Sequence, residues 1–151
     1  MTRLADALAA AGVVSIGLDT SPIIYFVEAH PQYDALVEEI FQQITQGQIQ
    51  GVTSTISLME VLIRPIREGN LSLQKRYRDL LLESVNFRTV DIDVAVAECA
   101  ASLRSRYNLK TPDSLQIAVA ITSGCEVFLT NDSDLRRVTE LQILLLSELE
   151  L

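Results

Sequence analysis

The stretch VVSIGLDTSPIIYF, Val13 to Phe26, decides the fold. Its first half is a short apolar run of the kind that forms a buried strand. The run ends on a carboxylate, Asp19, followed at once by Thr20, Ser21 and Pro22. One acid at a strand end means little; it gains meaning if other carboxylates arrive at the same place. The V-x-T run at Val52, VFLT from Val127 to Thr130, and LQILLL from Leu141 to Leu146 read as further buried strands. Longer segments with helical spacing lie between them. Ile40, Phe41 and Ile44 give an apolar face to a helix around Tyr33 to Gln46, and Ile56, Met59, Leu62 and Ile63 do so in the next. Leu80, Leu81 and Val85 mark a third helix closed near Asn86, and Val94, Ala97, Ala101 and Arg104 a fourth. Leu115, Ala118, Val119 and Thr122 mark a fifth, which Gly124 terminates. Strands alternating with helices predict an α/β fold with a mostly parallel sheet covered on both faces.

With 151 residues the chain reads as one domain, 1–151, opened by a short helix at about 2–11. Hydrophobic residues at 48% and charged residues at 21% are enough for a packed core. MTRLADALAAAG has the apolar character of a secretory signal, but Asp6 interrupts it. No apolar run approaches the roughly 18 residues of a membrane span, so a cytoplasmic protein without membrane contact is expected. Cys99 and Cys125 lack ligand spacing and His30 is the only histidine, which leaves two packed thiols in a reducing compartment. A net charge of -8 excludes a broad basic nucleic-acid surface. It leaves room for an enzyme whose acidic centre is neutralised by divalent cations.

In parallel α/β sheets, ligands gather beyond the carboxyl ends of the strands. Asp19 follows one strand, and Asp132, in VFLTND, follows another. Glu60 lies between Met59 and Val61 in SLMEVLI, among apolar neighbours that make an unpaired charge costly. Ser57, three residues earlier, would make it part of a capping box, although Thr53, Ser54 and Thr55 are rival helix starts. Glu60 could instead point under the sheet rim, with Arg64 one turn further along to balance charge or meet a phosphate. Asp113, in KTPDSLQIA, follows Thr111 as N-cap and Pro112 at the first helical position, where dipole compensation alone would justify it. Each acid has a local explanation. Together they are the hard oxygen donors that Mg²⁺ or Mn²⁺ prefers, suited to two-metal phosphodiester hydrolysis. The H-E-x-x-H of zinc proteases and the G-K-[ST] loop of P-loop ATPases are absent.

From about Val14 to Leu146 the chain resembles PIN-domain ribonucleases, and most closely the VapC-like toxins of toxin–antitoxin pairs. The resemblance assigns the first acidic position to Asp19 in LDTSPIIYF, the second to Glu60 in TSTISLMEVL, the third to Asp113 in TPDSLQIAVA and the fourth to Asp132. Ser21 and Thr130 become supporting hydroxyls and Asp134 an auxiliary ligand. Leu135 stands where the family commonly has an aromatic residue. The resemblance implies a five-stranded α/β/α sheet, a Mg²⁺-dependent ribonuclease with Mn²⁺ as substitute, a homodimer and a cognate antitoxin. An RNA backbone beside an acidic pocket needs local positive charge, for which Arg64, Arg67, Arg104, Arg106 and Lys110 are the candidates. ALVEEIFQQI and SLMEVLIRPI carry apolar positions that could line a groove for the antitoxin or a second copy. Haloacid-dehalogenase-like phosphatases would require D-x-D-x-T after the first strand, where this chain has Asp19-Thr20-Ser21-Pro22-Ile23. The remaining alternative is a catalytically inactive PIN-like module that binds RNA or protein.

Overall fold

The computed structural model describes residues 1–151. The chain runs β1 (Thr2–Arg3), α1 (Leu4–Ala10), β2 (Ser15–Leu18), α2 (Thr20–Val27), α3 (Asp34–Thr45), β3 (Gln50–Ser54), α4 (Thr55–Arg67) and α5 (Leu71–Glu83). It continues through β4 (Phe87–Val90), α6 (Val94–Tyr107), α7 (Thr111–Thr122), β5 (Val127–Thr130), β6 (Gln142–Leu145) and β7 (Leu149–Glu150). Short 3-10 turns, Ser133–Arg137 and Leu146–Glu148, flank β6. Five parallel strands form the central sheet in the order β4-β3-β2-β5-β6, and β1 pairs with β7 in a separate two-stranded ribbon.

Successive strand residues point to opposite faces, so the sheet divides its apolar side chains between two cores. Ile16, Leu18, Val127 and Leu129 pack with Ile23, Ile40, Ile44, Tyr77 and Leu81 on one face. Val52 and Phe128 pack with Val96, Leu103, Ile117 and Val119 on the other. The expected three-layer α/β/α architecture is therefore the observed one.

Several helix faces differ from their apolar spacing. On α4 the buried positions are Ser57, Val61 and Pro65, while Met59 and Ile63 are 55% and 46% exposed. The helix is turned to place the Ser57 hydroxyl inside, for a reason that lies in the site below. On α6 the buried stripe is Val96, Ala100 and Leu103; Val94, Ala97, Ala101 and Arg104 face solvent. An Ala-rich helix offers two stripes of similar polarity, and its packing partners choose between them. Val85 lies beyond the end of α5 and is exposed. On α7, Ala118 and Val119 are buried, but Thr122 is exposed and the inward face extends to Ser114, Gln116 and Ile117. The first helix covers only Leu4–Ala10.

Gly17 determines how closely α7 approaches the sheet. A Cβ there would stand 2.7 Å from the Ala120 Cβ and 3.0 Å from the Phe128 ring. Gly17→Val should push α7 outward and destabilise the fold by about 1–3 kcal/mol, the usual cost of overpacking. The measurement is a urea midpoint that falls at unchanged slope.

Candidate functional site

The order of strands creates the crevice. From β2 the chain builds outward through β3 and β4 on one side, then returns to lay β5 and β6 on the other. The carboxyl ends of β2 and β5 thus flank a topological switch point. Asp19, directly after β2, caps α2, its Oδ1 accepting the Thr20 N–H at 2.8 Å. Its Oδ2 accepts from the Thr130 hydroxyl, 2.8 Å away at the end of β5. The same hydroxyl oxygen accepts the Asp132 N–H at 3.1 Å, so Thr130 ties both acids to one strand end.

Glu60 reaches the rim from α4, where its Oε1 accepts from the Thr20 hydroxyl at 2.8 Å. It is not half of a capping box. The N-cap of α4 is Ser54, which accepts the Ile56 N–H at 3.1 Å, while Ser57 is buried among polar side chains. Asp113 stands in the first turn of α7, but the cap is Lys110 rather than Thr111. The Thr111 hydroxyl accepts from Arg104 Nη1 at 3.1 Å instead. Asp19, Glu60, Asp113 and Asp132 line one pocket with Thr20, Ser21, Ile24, Ile63 and Arg64. Asp134 lies outside it, beside Ser133, Arg136 and Arg137 on the outer surface.

A model of the PIN domain matches residues 16–141, which spans every one of these acids. The chain belongs to the PIN domain family. No curated protein sequence matches it. Among solved structures it resembles VapBC2 from Rickettsia felis bound to a promoter DNA fragment, at 16% identity and a TM-score of 0.68, covering 85% of this chain and 96% of that one. A toxin–antitoxin complex from Klebsiella pneumoniae matches at 22% identity and 0.66, covering 87% and 97%. VapC20 of Mycobacterium tuberculosis, described as a sarcin-ricin loop cleaving toxin, matches at 17% and 0.64, covering 84% and 98%.

The electrostatics of this PIN site are those of crowded acids. Burial pushes the Asp113 carboxyl up to about 6, helped by Asp19 and Asp132 and opposed by Lys110. Asp19 is also raised, chiefly by burial, although the Thr130 and Thr20 hydrogen bonds favour its ionised form. No three acids stand close enough to form a ready-made ion cage. The donor chemistry nevertheless fits a hard divalent cation: four carboxylates share one pocket, and two of them hold their protons more tightly than free carboxyls do.

The positive residues divide by how they are engaged. Arg64 forms one wall of the pocket, yet its guanidinium donates to Glu28, which also accepts from the Tyr77 hydroxyl, and lies 3.8 Å from Glu68. Arg104 donates to the Leu109 carbonyl at 2.7 Å as well as to Thr111. Arg106 pairs with Glu140 at 3.3 Å. Arg104 thus fastens the approach to α7, and Arg106 ties the end of α6 to the segment before β6. Arg67 and Lys110 are exposed and take part in none of the ion pairs.

Sequence reasoning gave the supporting hydroxyls to Ser21 and Thr130. Thr130 does contact Asp19, whereas Ser21 lines the pocket without a side-chain bond to any acid. The hydroxyl on Glu60 belongs to Thr20, which also lies 3.1 Å from both Ser57 Oγ and Gln116 Nε2. The signal for this network was present in the sequence. TSTIS places four hydroxyls at a strand-to-helix junction, and Gln116 interrupts an otherwise apolar helix in SLQIAVA.

Proposed function

We propose that this PIN domain is a divalent-cation-dependent ribonuclease and the toxin of a toxin–antitoxin pair, acting in the cytoplasm. The observation that carries the reading is that four carboxylates, each from a different part of the chain, line one pocket at the switch point of the sheet. Asp19, Glu60, Asp113 and Asp132 would hold Mg²⁺, with Mn²⁺ as substitute, while Asp134 acts on the site's charge from outside the pocket. When bound, the cation supplies Lewis acidity toward a phosphodiester and lowers the cost of deprotonating its attacking water. The protein's own groups set the stage for this. Thr130 orients Asp19 and Thr20 orients Glu60, and Asp113, pushed up to about 6 by burial, would bring to a cation a carboxylate that is otherwise uncompensated at neutral pH.

RNA approaches across the positive residues that remain free. Lys110 and Arg67 would contact phosphates, and Arg64 would do so on exchanging Glu28 for a phosphate oxygen; Arg104 serves the loop before α7, and Arg106 is engaged by Glu140. Replacing Lys110 by Ala should weaken RNA binding and flatten its dependence on log salt by about 0.7, the contribution of one single-strand phosphate contact. An unchanged slope would remove Lys110 from the path. The structural likeness to toxin–antitoxin complexes supports an antitoxin partner. Met59, Ile63 and Ile66 form an exposed apolar ridge along α4 that suits that partner or a second copy of this chain. Light scattering on the isolated protein distinguishes the homodimer from a monomer.

A second reading, a module that binds RNA without cutting it, is favoured by the absence of a closed acid cage. Cleavage of a mixed RNA pool with Mg²⁺, Mn²⁺ or chelator separates the two. Saturable binding without any cutting, under conditions that load the cation, would establish the module.

A further inference from the structure

We propose that Gln116 is a positioning residue for Glu60 and acts through the Thr20 hydroxyl, an inference that rests on the cation-holding reading of the pocket. Beneath the carboxylate rim lies a polar layer inside an apolar core. Ser54, Ser57 and Gln116 are 0%, 0% and 3% exposed, and they come from β3, α4 and α7. Such groups are costly to bury unless their hydrogen bonds are complete. Here the bonds also have a direction.

Ser54 Oγ already accepts the Ile56 N–H, so its single proton goes to Gln116 Oε1. That bond fixes which end of the amide is oxygen and which is nitrogen. Gln116 Nε2 then donates its two protons to Ser57 Oγ at 2.7 Å and Thr20 Oγ1 at 3.1 Å. Having accepted from Gln116, Thr20 has one proton to give. The Glu60 carboxylate oxygen Oε1, 2.8 Å away, accepts it. The chain of donors therefore runs one way, Ser54 to Gln116 to Thr20 to Glu60. Thr53 joins from the side, its hydroxyl 2.8 Å from Ser57 Oγ and 2.9 Å from the carbonyl of Leu18, the residue before Asp19. Gln116 thus holds the Thr20 proton pointed at Glu60, and the layer reaches the strand end that carries Asp19.

The same residue could serve the fold alone, and the test separates the two roles. Mn²⁺ affinity is measured by electron paramagnetic resonance on chelator-stripped wild type, Gln116→Met, Thr20→Val and Thr20→Ser, with folding checked by circular dichroism and thermal melts. Gln116→Met and Thr20→Val should each weaken Mn²⁺ binding by about 10- to 100-fold, the usual loss when the partner of a metal ligand is removed. Thr20→Ser keeps the hydroxyl and should stay within about threefold of wild type on the same scale. In a Glu60→Gln background, Gln116→Met should cause no further loss, because its effect passes through Glu60. A folded Gln116→Met or Thr20→Val protein with wild-type affinity overturns the proposal, and so does a loss that persists undiminished without Glu60. If Gln116→Met fails to fold, the Thr20 pair decides. Should wild type bind no Mn²⁺, the cation-holding reading fails by itself. The crystal structure of Thr20→Val then judges the positioning claim: Glu60 displaced upholds it, and Glu60 unmoved overturns it.

Discussion

Asp113→Asn should lower RNA cleavage by about 10²–10³-fold, the scale expected for removing one charge-stabilising group from an active site, while raising the thermal stability of the cation-free protein. The two effects have one cause. Burial and the neighbouring Asp19 and Asp132 hold the Asp113 carboxyl at about 6 in the folded chain, against 3.8 for the free group. Between those values the folded state keeps a proton that the unfolded state has released, so this group's contribution to stability is full below pH 3.8 and is lost as pH rises through about 6. At neutral pH the native protein therefore carries a destabilising anion. Asparagine removes the anion and with it a proposed ligand. Melting curves at pH 7.5 in chelator should place the variant above wild type, and the gap should close towards pH 3.5, below both the folded and the unfolded value of the wild-type Asp113 carboxyl. Undiminished cleavage by the folded variant would take Asp113 out of the chemistry.

The second large effect is the reverse experiment. Mg²⁺ or Mn²⁺ at about a hundred times its dissociation constant should stabilise wild type by about 2.7 kcal/mol, which for a domain of this size raises the melting temperature by about 5–10 °C. Asp19→Asn should abolish most of that rise, since β5 holds Asp19 in place twice, the Asp19 N–H donating to the Leu129 carbonyl and its side chain accepting from Thr130. The gain should also shrink below about pH 6, as Asp113 retains the proton that a cation must displace. An increase in melting temperature identical in wild type and Asp19→Asn would mean that the ion binds elsewhere.

Strands buried on both faces were the legible part of the sequence. VFLT is a continuous apolar run because helices cover both sides of the sheet, and LQILLL is broken only by the exposed Gln142 at the start of β6. β4 escaped the same reading because FRTV, with only Phe87 buried, carries no apolar run to notice. Asp19, Glu60, Asp113 and Asp132 could be selected individually because each interrupts or ends a pattern. Their common pocket depends on strand order, which periodicity does not encode. The wrong cap positions at Ser57 and Thr111 share a physical origin. Both residues suit a helix start, but tertiary partners claim their hydroxyls, Gln116 and Thr53 in one case and Arg104 in the other. Met59 and Ile63 were assigned to a core that instead takes the smaller, polar Ser57.

The position of β2 between β3 and β5 has a consequence for the order in which a growing polypeptide becomes active. β2 can pair with β3 early, since the intervening segment is short, but its other neighbour is among the last parts to be made. Until β5 docks, Asp19 has no Thr130 hydroxyl beside it and the pocket has no second wall. Closing so distant a pairing is slow relative to forming local helices. The nascent chain carries Asp19 and Glu60 from early in synthesis, and Asp113 later, without a place to use them until Asp132 and β5 are made. Catalytic competence is thus withheld until synthesis is nearly over, a built-in delay for a protein proposed to cut RNA in the cell that makes it.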